Sequence, residues 1–289
     1  MTHATTAFQR FFAPLLLTAA ACVTLPAAAQ SLYWGTGSGK TESERLKFGT
    51  TTSRDVSLGA MSVSTSSTKA NSFWVYCLDP LNGANLPSAY TTTSLSNFIT
   101  SSGSTSYQSL FTNTPYSSTT NYNTGNANTS YSVQSNKTTV LNNLVELYSH
   151  AYEDSLENSL KSAAFQYAIW SILGEAEPNY GIDAGGLRAI NITNDPNVAA
   201  FRTQAAAYLT AVTSAANNAW GNVNNVDLSA RTTYTYQVFA SSPLGGSQTF
   251  LAVSKATGGK VSEPASLALV GIAALGVIAG RRRKSKSAA

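Results

Sequence analysis

Cys77 is a thiol with no obvious partner in the chain. The sequence of 289 residues holds two cysteines, and Cys22 falls in an N-terminal segment that we expect to be removed on export. A single thiol in an oxidising compartment needs an explanation, because cysteines of secreted proteins usually pair. Cys77 shares one face of a strand-like run with Phe73 and Val75, so its neighbours are apolar. Its simplest role is that of a small buried hydrophobe.

Gln166 is a polar side chain in an apolar helical segment. At helical spacing it shares its face with Ile169, Trp170 and Leu173. An amide on such a face is hydrogen-bonded, chemically consumed or costly, because burying it without a partner costs roughly 1 to 3 kcal/mol. Attack of the Cys77 thiolate on the Gln166 carbonyl, with loss of ammonia, accounts for both residues through one internal thioester. The spacing of the two residues alone does not establish that they meet.

Two short motifs around these residues carry a family resemblance. Residues 76–79 (YCLD) and 165–170 (FQYAIW) resemble the paired signature of bacterial thioester domains, also called TQXA domains. In that family a strand supplies the thiol and a later helix supplies the glutamine. The resemblance implies a thioester bond between Cys77 and Gln166, in a pocket formed by Tyr76, Phe165, Ile169 and Trp170. This sequence has Phe165 where many members of the family have Thr.

The resemblance also implies a function. A target amine attacks the thioester carbonyl, Cys77 leaves, and an amide bond joins the protein to a surface or matrix partner, either a protein or a polysaccharide. The reaction is used once, so we expect an adhesin or crosslinker and not an enzyme, with no cofactor. We also expect no metal site, because the sequence has no HExxH or CxxC motif and no His/Asp cluster.

Two alternatives remain open from the sequence. A Cys-His hydrolase or transpeptidase would pair Cys77 with His150, oriented by Asp154. A noncovalent matrix or biofilm protein would instead keep Cys77 inert and contact exopolysaccharide through its Tyr-rich polar segment.

The C-terminal tail indicates where the protein goes. An apolar run over residues 265–280 follows Glu263 and Pro264 and precedes Arg281, Arg282 and Arg283. This order resembles the PEP-CTERM sorting signal of Gram-negative bacteria, which an exosortase is thought to cut. The resemblance implies that residues 265–280 cross the membrane before processing. The alternative is an ordinary C-terminal membrane anchor, and both place the body of the protein outside the inner membrane.

The N-terminus agrees with export. Arg10, an apolar run and the small residues Ala27 to Ala29 are typical of a signal peptide cleaved by signal peptidase. Six of the 18 Lys and Arg lie outside residues 30–280, which leaves 12 against 14 Asp and Glu, a net charge of about −2 for the body. This balance and the lack of a basic patch exclude nucleic acid as an expected partner. We expect a protein of the cell surface or extracellular matrix.

The order of elements predicts an α+β fold, with an antiparallel sheet or sandwich-like body and a helical lobe that carries the glutamine motif. We expect strands over 55–64 and 73–78, helical pieces over 138–173, a third helix from Pro196 to about Trp220, and a hairpin of 233–240 with 247–253. We expect three segments: a signal peptide (1–29), the thioester domain that the resemblance implies (30–255) and a sorting tail (256–289). The Ser/Thr/Asn/Tyr-rich insertion over 88–137 is predicted as a loop or marginal strands.

Overall fold

The computed structural model describes residues 29–48, 53–80, 82–103, 106–111, 136–175, 180–183, 185–190, 195–214, 219–241 and 247–256. The predicted signal peptide and sorting tail lie almost entirely outside these residues. The strands are β1 (Gln30–Trp34), β2 (Lys40–Phe48), β3 (Arg54–Ser64), β4 (Phe73–Cys77), β5 (Ser88–Ser94), β6 (Leu187–Ala189), β7 (Tyr234–Ser241) and β8 (Phe250–Lys255). The helices are α1 (Leu95–Thr100), α2 (Lys137–Ser155), α3 (Ser159–Gly174) and α4 (Pro196–Thr213), with a 3₁₀ helix at Tyr107–Phe111.

Six of the strands form a closed antiparallel barrel. They pair in the order β1-β5-β7-β8-β4-β3, and β1 closes the ring by pairing with β3. The closing pairs are Tyr33 with Ser64 and Trp34 with Val63. On the concave face, Tyr90 of β5 contacts Phe250 of β8 although β7 lies between these strands. Strands β2 and β6 extend the sheet outward from β3.

The predicted α+β sandwich with a helical lobe is therefore wrong. A sandwich keeps two open sheets face to face, whereas here β1 pairs on both sides and a single sheet closes on itself. In the described part of the chain strands outnumber helices eight to four. The helices do not stand apart as a lobe, because α3 packs directly against β2 and β3 and contacts both α2 and α4.

Several predicted elements are confirmed and others differ. The predicted helical pieces are α2 and α3, which are separated by Leu156, Glu157 and the α3 cap Asn158, and the predicted hairpin is β7 paired with β8. The third helix begins at Pro196 as expected but ends at Thr213, not Trp220. The polar insertion is not simply a loop, because it begins with β5, α1 and the 3₁₀ helix. Its residues 112–135 lie outside the described part.

An aromatic cluster aligns β4 with α3. Helix α3 is apolar on nearly all sides, and its residues from Ser162 to Gly174 are all buried, as expected for a helix without a polar face. The ring centroid of Phe165 lies 4.7 Å from that of Tyr76 and 4.9 Å from that of Tyr148. Because Tyr76 and Phe165 are in contact, the next residues along each element, Cys77 and Gln166, are brought to the same place.

A buried ion pair holds the helices together at the start of α3. Lys161 Nζ lies 2.5 Å from Asp154 Oδ1, and the Asp154 side chain is 3% exposed. Tyr208 of α4 donates to the second carboxylate oxygen of Asp154 at 2.6 Å. One carboxylate of α2 therefore binds α3 and α4, and this fixes the position of the helix that carries Gln166.

Candidate functional site

Cys77 lies where β4 leaves the sheet. On one side it is opposite Phe250 of β8, but pairing with β3 extends only to Val75, opposite Met61. Gly59 lies at the neighbouring point of β3 with φ of +130°, and a Cβ there would lie 2.0 Å from the Lys40 carbonyl oxygen, so this position requires glycine. Helix α3 occupies the gap that opens between β3 and β4.

Two side chains of α3, one turn apart, bind backbone groups of β3 and β4 where these strands no longer pair with each other. Ser162 Oγ accepts from the Ala60 N–H of β3 at 2.8 Å. Gln166 Oε1 accepts from the Cys77 N–H at 2.9 Å, and Gln166 Nε2 donates to the Cys77 carbonyl oxygen at 2.6 Å. The carboxamide thus pairs with both peptide groups of Cys77, as a neighbouring strand would. Gln166 is 1% exposed and Cys77 is 2% exposed.

Trp170 completes this arrangement from the next turn of α3. Its indole Nε1–H donates to the Cys77 carbonyl oxygen at 2.9 Å, the same atom that Gln166 Nε2 binds. A carbonyl oxygen has two lone pairs, so the two donors satisfy it fully. The ring of Trp170 also lies against Phe48 of β2, with centroids 6.5 Å apart.

The thiol of Cys77 lies in the turn that follows β4. Its Sγ donates to the Asp79 carbonyl oxygen at 2.9 Å, and the Asp79 N–H approaches Sγ at 3.2 Å. Burial raises the pKa of the Cys77 thiol well above its ordinary value, and the nearby Asp79 charge raises it further. At neutral pH the sulfur is therefore a thiol and not a thiolate, in contrast to most catalytic cysteines.

The structure brings together part of the predicted site by direct contact. Cys77, Gln166 and Trp170 share hydrogen bonds. Tyr76, Phe165 and Ile169 are fully buried close by; Tyr76 donates to Ser155 Oγ at 2.7 Å and does not bind Cys77 in the described hydrogen bonds. The roles of these residues and the covalent bond itself stay predictions.

Asp79 and Asn82 are parts of this site that sequence reasoning missed. Asp79 is fully buried and Asn82 is 6% exposed, and Asn82 Nδ2 donates to Asp79 Oδ2. In the sequence, Asp79 is noted only as the last residue of the YCLD motif, with no role of its own. A carboxylate two residues after a lone cysteine was the signal that could have identified it, since carboxylates are rarely buried without a role.

The contacts of His150 and Asp154 do not match the arrangement that a Cys-His hydrolase needs. His150 Nδ1 lies 2.8 Å from the Leu228 carbonyl oxygen, its Nε2 lies 3.4 Å from Glu146, and its ring stacks on Trp220. Asp154 binds Lys161 and Tyr208 instead of His150. In the described contacts neither residue reaches Cys77, so the Cys-His-Asp arrangement is not formed.

The described residues contain no group of three or more His, Cys, Asp and Glu side chains that could hold a metal ion. None of the helices described is long and apolar enough to cross a membrane. The predicted membrane segment, residues 265–280, lies outside the described part.

Comparison with known families adds one finding, at the C-terminus. Residues 260–284 match the PEP-CTERM protein-sorting motif. The match contains Glu263, Pro264, Arg281, Arg282 and Arg283, so the predicted sorting signal is confirmed. The protein is thus a secreted protein of the cell envelope or extracellular space of a Gram-negative bacterium, processed by an exosortase. The match does not extend to residues 76–79 or 165–170, and the thioester resemblance stays a prediction.

No curated protein and no solved structure matches the chain.

Proposed function

We propose that Cys77 and Gln166 form an internal thioester through which this secreted protein captures an amine on a surface or matrix partner. The observation that carries the proposal is the position of the Gln166 carboxamide, bound by two hydrogen bonds to the peptide groups of the cysteine itself. The electrophilic carbon and the nucleophilic sulfur belong to residues that are already in contact. Holding the two reacting residues next to each other lowers the barrier to an intramolecular acyl transfer.

Formation of the bond follows from these contacts. Sγ attacks the side-chain carbonyl carbon of Gln166, a C–S bond forms, and the C–N bond breaks. Nitrogen leaves as ammonia after taking the thiol proton. Negative charge develops on Oε1, where the Cys77 N–H donates at 2.9 Å, so this N–H is the oxyanion donor of the proposal.

In the capture reaction an amine is the nucleophile and the Cys77 sulfur is the leaving group. An amine attacks the same carbon, a C–N bond forms, the C–S bond breaks, and the sulfur leaves and takes a proton. Because the pKa of the Cys77 thiol is raised by burial, the released sulfur ends as a neutral thiol. The product is an N-substituted amide at Gln166, and the protein cannot react again, so it is a single-use crosslinker and not a turnover enzyme.

Burial accounts for the persistence of such a bond. Cys77 and Gln166 are almost completely enclosed, and water is the competitor that would hydrolyse a thioester. We propose a partner bearing a primary amine, either a protein or an amino-substituted polysaccharide of the surface or matrix. Before exosortase cleavage, the apolar segment 265–280 would hold the protein at the membrane.

A noncovalent function is the second candidate, and one observation favours it. The Gln166 amide already satisfies both peptide groups of Cys77 at an edge that β3 leaves unpaired. A purely structural glutamine would do the same without reacting. In that case the protein is a noncovalent component of the envelope or matrix with an inert cysteine.

Labelling with a fluorescent primary amine such as dansylcadaverine separates the two functions. We expect the folded wild-type protein to carry label after denaturation, located by peptide mapping at Gln166. Cys77→Ala should carry none, because it cannot hold the acyl group. Absence of label in the wild-type protein, or equal label in Cys77→Ala, contradicts the proposal.

A further inference from the structure

We infer that Asp79 and Asn82 form the access site for the attacking amine, and that the Asp79 carboxylate binds the incoming ammonium and takes its proton. The inference rests on the proposed thioester and names the class of its substrate, a primary ammonium such as a lysine side chain. It assigns a reactive role to a carboxylate that the thioester chemistry above leaves unused.

The first observation is the place of Asp79 in the turn after β4. Its backbone N–H and carbonyl both contact the Cys77 sulfur, at 3.2 and 2.9 Å, and the carboxylate is fully buried. An ammonium that comes to attack the thioester carries the charge complementary to this carboxylate.

The second observation is an acceptor in Asn82 that has no donor. Asn82 Nδ2 donates to the Asp79 carboxylate, but its Oδ1 is buried without a hydrogen-bond partner. Buried acceptors are rarely left unsatisfied in folded proteins. Because one amide carries both atoms, this oxygen lies close to Asp79. An ammonium has three donors and no acceptor, so the same ligand can donate to both Asn82 Oδ1 and the Asp79 carboxylate.

The third observation is a route from solvent. Asn82, Pro80 and Gly83 line an open groove of about 510 Å³ on the outside of the barrel. The described lining of this groove includes one carboxylate, Asp55, which is paired with Arg45 at 2.8 Å and is therefore not part of the path. The groove therefore leads from solvent to Asn82, Asn82 donates to the Asp79 carboxylate, and the Asp79 backbone contacts the Cys77 sulfur. On this path an ammonium meets Asn82 Oδ1 and then the Asp79 carboxylate.

Other titratable groups near Cys77 cannot take the proton. Cys77 contributes to the raised pKa of Tyr90 of β5 and of Tyr148 of α2, so both phenols lie near its sulfur. Burial raises the pKa of Tyr90 to about 12 and raises the pKa of Tyr148 well above its ordinary value. Both phenols stay protonated at neutral pH and cannot act as bases, which leaves the Asp79 carboxylate.

The step balances in atoms and charge. The ammonium gives one proton to Asp79 and becomes a neutral amine. The amine nitrogen attacks the Gln166 carbon, the C–N bond forms, and the C–S bond breaks. The nitrogen then loses a second proton to the departing Cys77 sulfur. The products are an amide, a thiol and a protonated Asp79, which returns its proton to water.

The test compares two nucleophiles in the Asp79→Asn variant. Methylamine is an ammonium at neutral pH and needs the carboxylate, whereas hydroxylamine is largely neutral there and does not. We expect Asp79→Asn to slow adduct formation with methylamine by about 100-fold, the lower end of general-base effects, and to leave the hydroxylamine rate within a few-fold. Asp55→Asn, which alters an exposed carboxylate in the same groove, is the matched control and should keep both rates.

The mass of the intact protein distinguishes a failure of the thioester proposal from a failure of the access-site proposal. A wild-type protein without the loss of one ammonia means that the thioester proposal itself fails. The access site is overturned if Asp79→Asn protein that has the thioester reacts more slowly with methylamine and hydroxylamine to the same extent, or reacts with both at the wild-type rate. A folded Asp79→Asn protein without the bond assigns Asp79 to bond formation and also overturns it.

Should Asp79→Asn not fold, Asn82→Ala takes its place. This variant removes the unpaired acceptor and retains the carboxylate. A selective loss of the methylamine rate supports the access site, and an unchanged or equal effect on both nucleophiles contradicts it.

Discussion

Replacing Gln166 by alanine abolishes covalent amine capture and leaves Cys77 as a thiol that alkylates in the unfolded protein. The variant loses the acyl group, and it also leaves the Cys77 N–H without its acceptor at 2.9 Å. The Cys77 carbonyl keeps one donor, the indole N–H of Trp170. We therefore expect a loss of stability of about 1 to 3 kcal/mol, measured by urea unfolding, together with complete loss of amine label.

A second buried glutamine provides the matched control. Gln204 of α4 is 2% exposed and accepts from Asn224 Nδ2 at 2.8 Å. Gln204→Ala should lower stability to a similar extent but retain full amine labelling. If both variants keep the label, or both lose it, capture does not depend on the carboxamide beside Cys77.

Cleavage of the proposed bond by methylamine has the largest expected effect on stability. The bond joins residues that are 89 positions apart, and a crosslink closing a loop of that length stabilises a fold by about 4.6 kcal/mol in the chain-entropy treatment. For a domain of this size the melting temperature should fall on the order of 10 °C. Differential scanning calorimetry before and after methylamine treatment measures this change.

The Cys77→Ala variant isolates the crosslink in that experiment. It should melt near the temperature of the methylamine-treated wild-type protein, and methylamine should not change it further. Cys77 is the only cysteine among the described residues, so no disulfide there competes with this effect. A melting temperature of the wild-type protein that does not respond to methylamine contradicts the crosslink.

The elements nearest the site were predictable because their patterns are strong. The run from Phe73 to Cys77 is apolar on both faces and forms β4, as central strands do. Asn158 caps α3 by accepting from the Lys161 N–H, and the long apolar segment behind it is buried on all sides. A lone thiol and a lone amide in two such apolar elements were the anomalies that identified Cys77 and Gln166.

The closure of the sheet was not predictable from local patterns. It depends on β1, five residues that pair with both β3 and β5, and pairing between distant strands leaves no periodic signal in either strand alone. The hydrophobic alternation of β2 is weak, and five of its nine residues are charged. Without β1 and β2 the remaining strands and helices suggested an open sheet.

The proposed access site was not predicted from the sequence, for a related reason. Asp79 and Pro80 at the end of β4 have the composition of an ordinary strand terminus. Only the packing shows that the Asp79 side chain is fully buried and that its backbone holds the Cys77 sulfur. Burial of a polar residue is set by the whole fold, and a short motif does not report it.

The mass of the intact, untreated protein tests the central claim most directly. If Cys77 and Gln166 are joined, the purified native protein is lighter than its sequence by one ammonia, and Cys77→Ala has the full mass of its own sequence. A wild-type protein of full mass, whose Cys77 alkylates stoichiometrically once unfolded, contradicts the thioester and leaves Gln166 as a structural partner of β4.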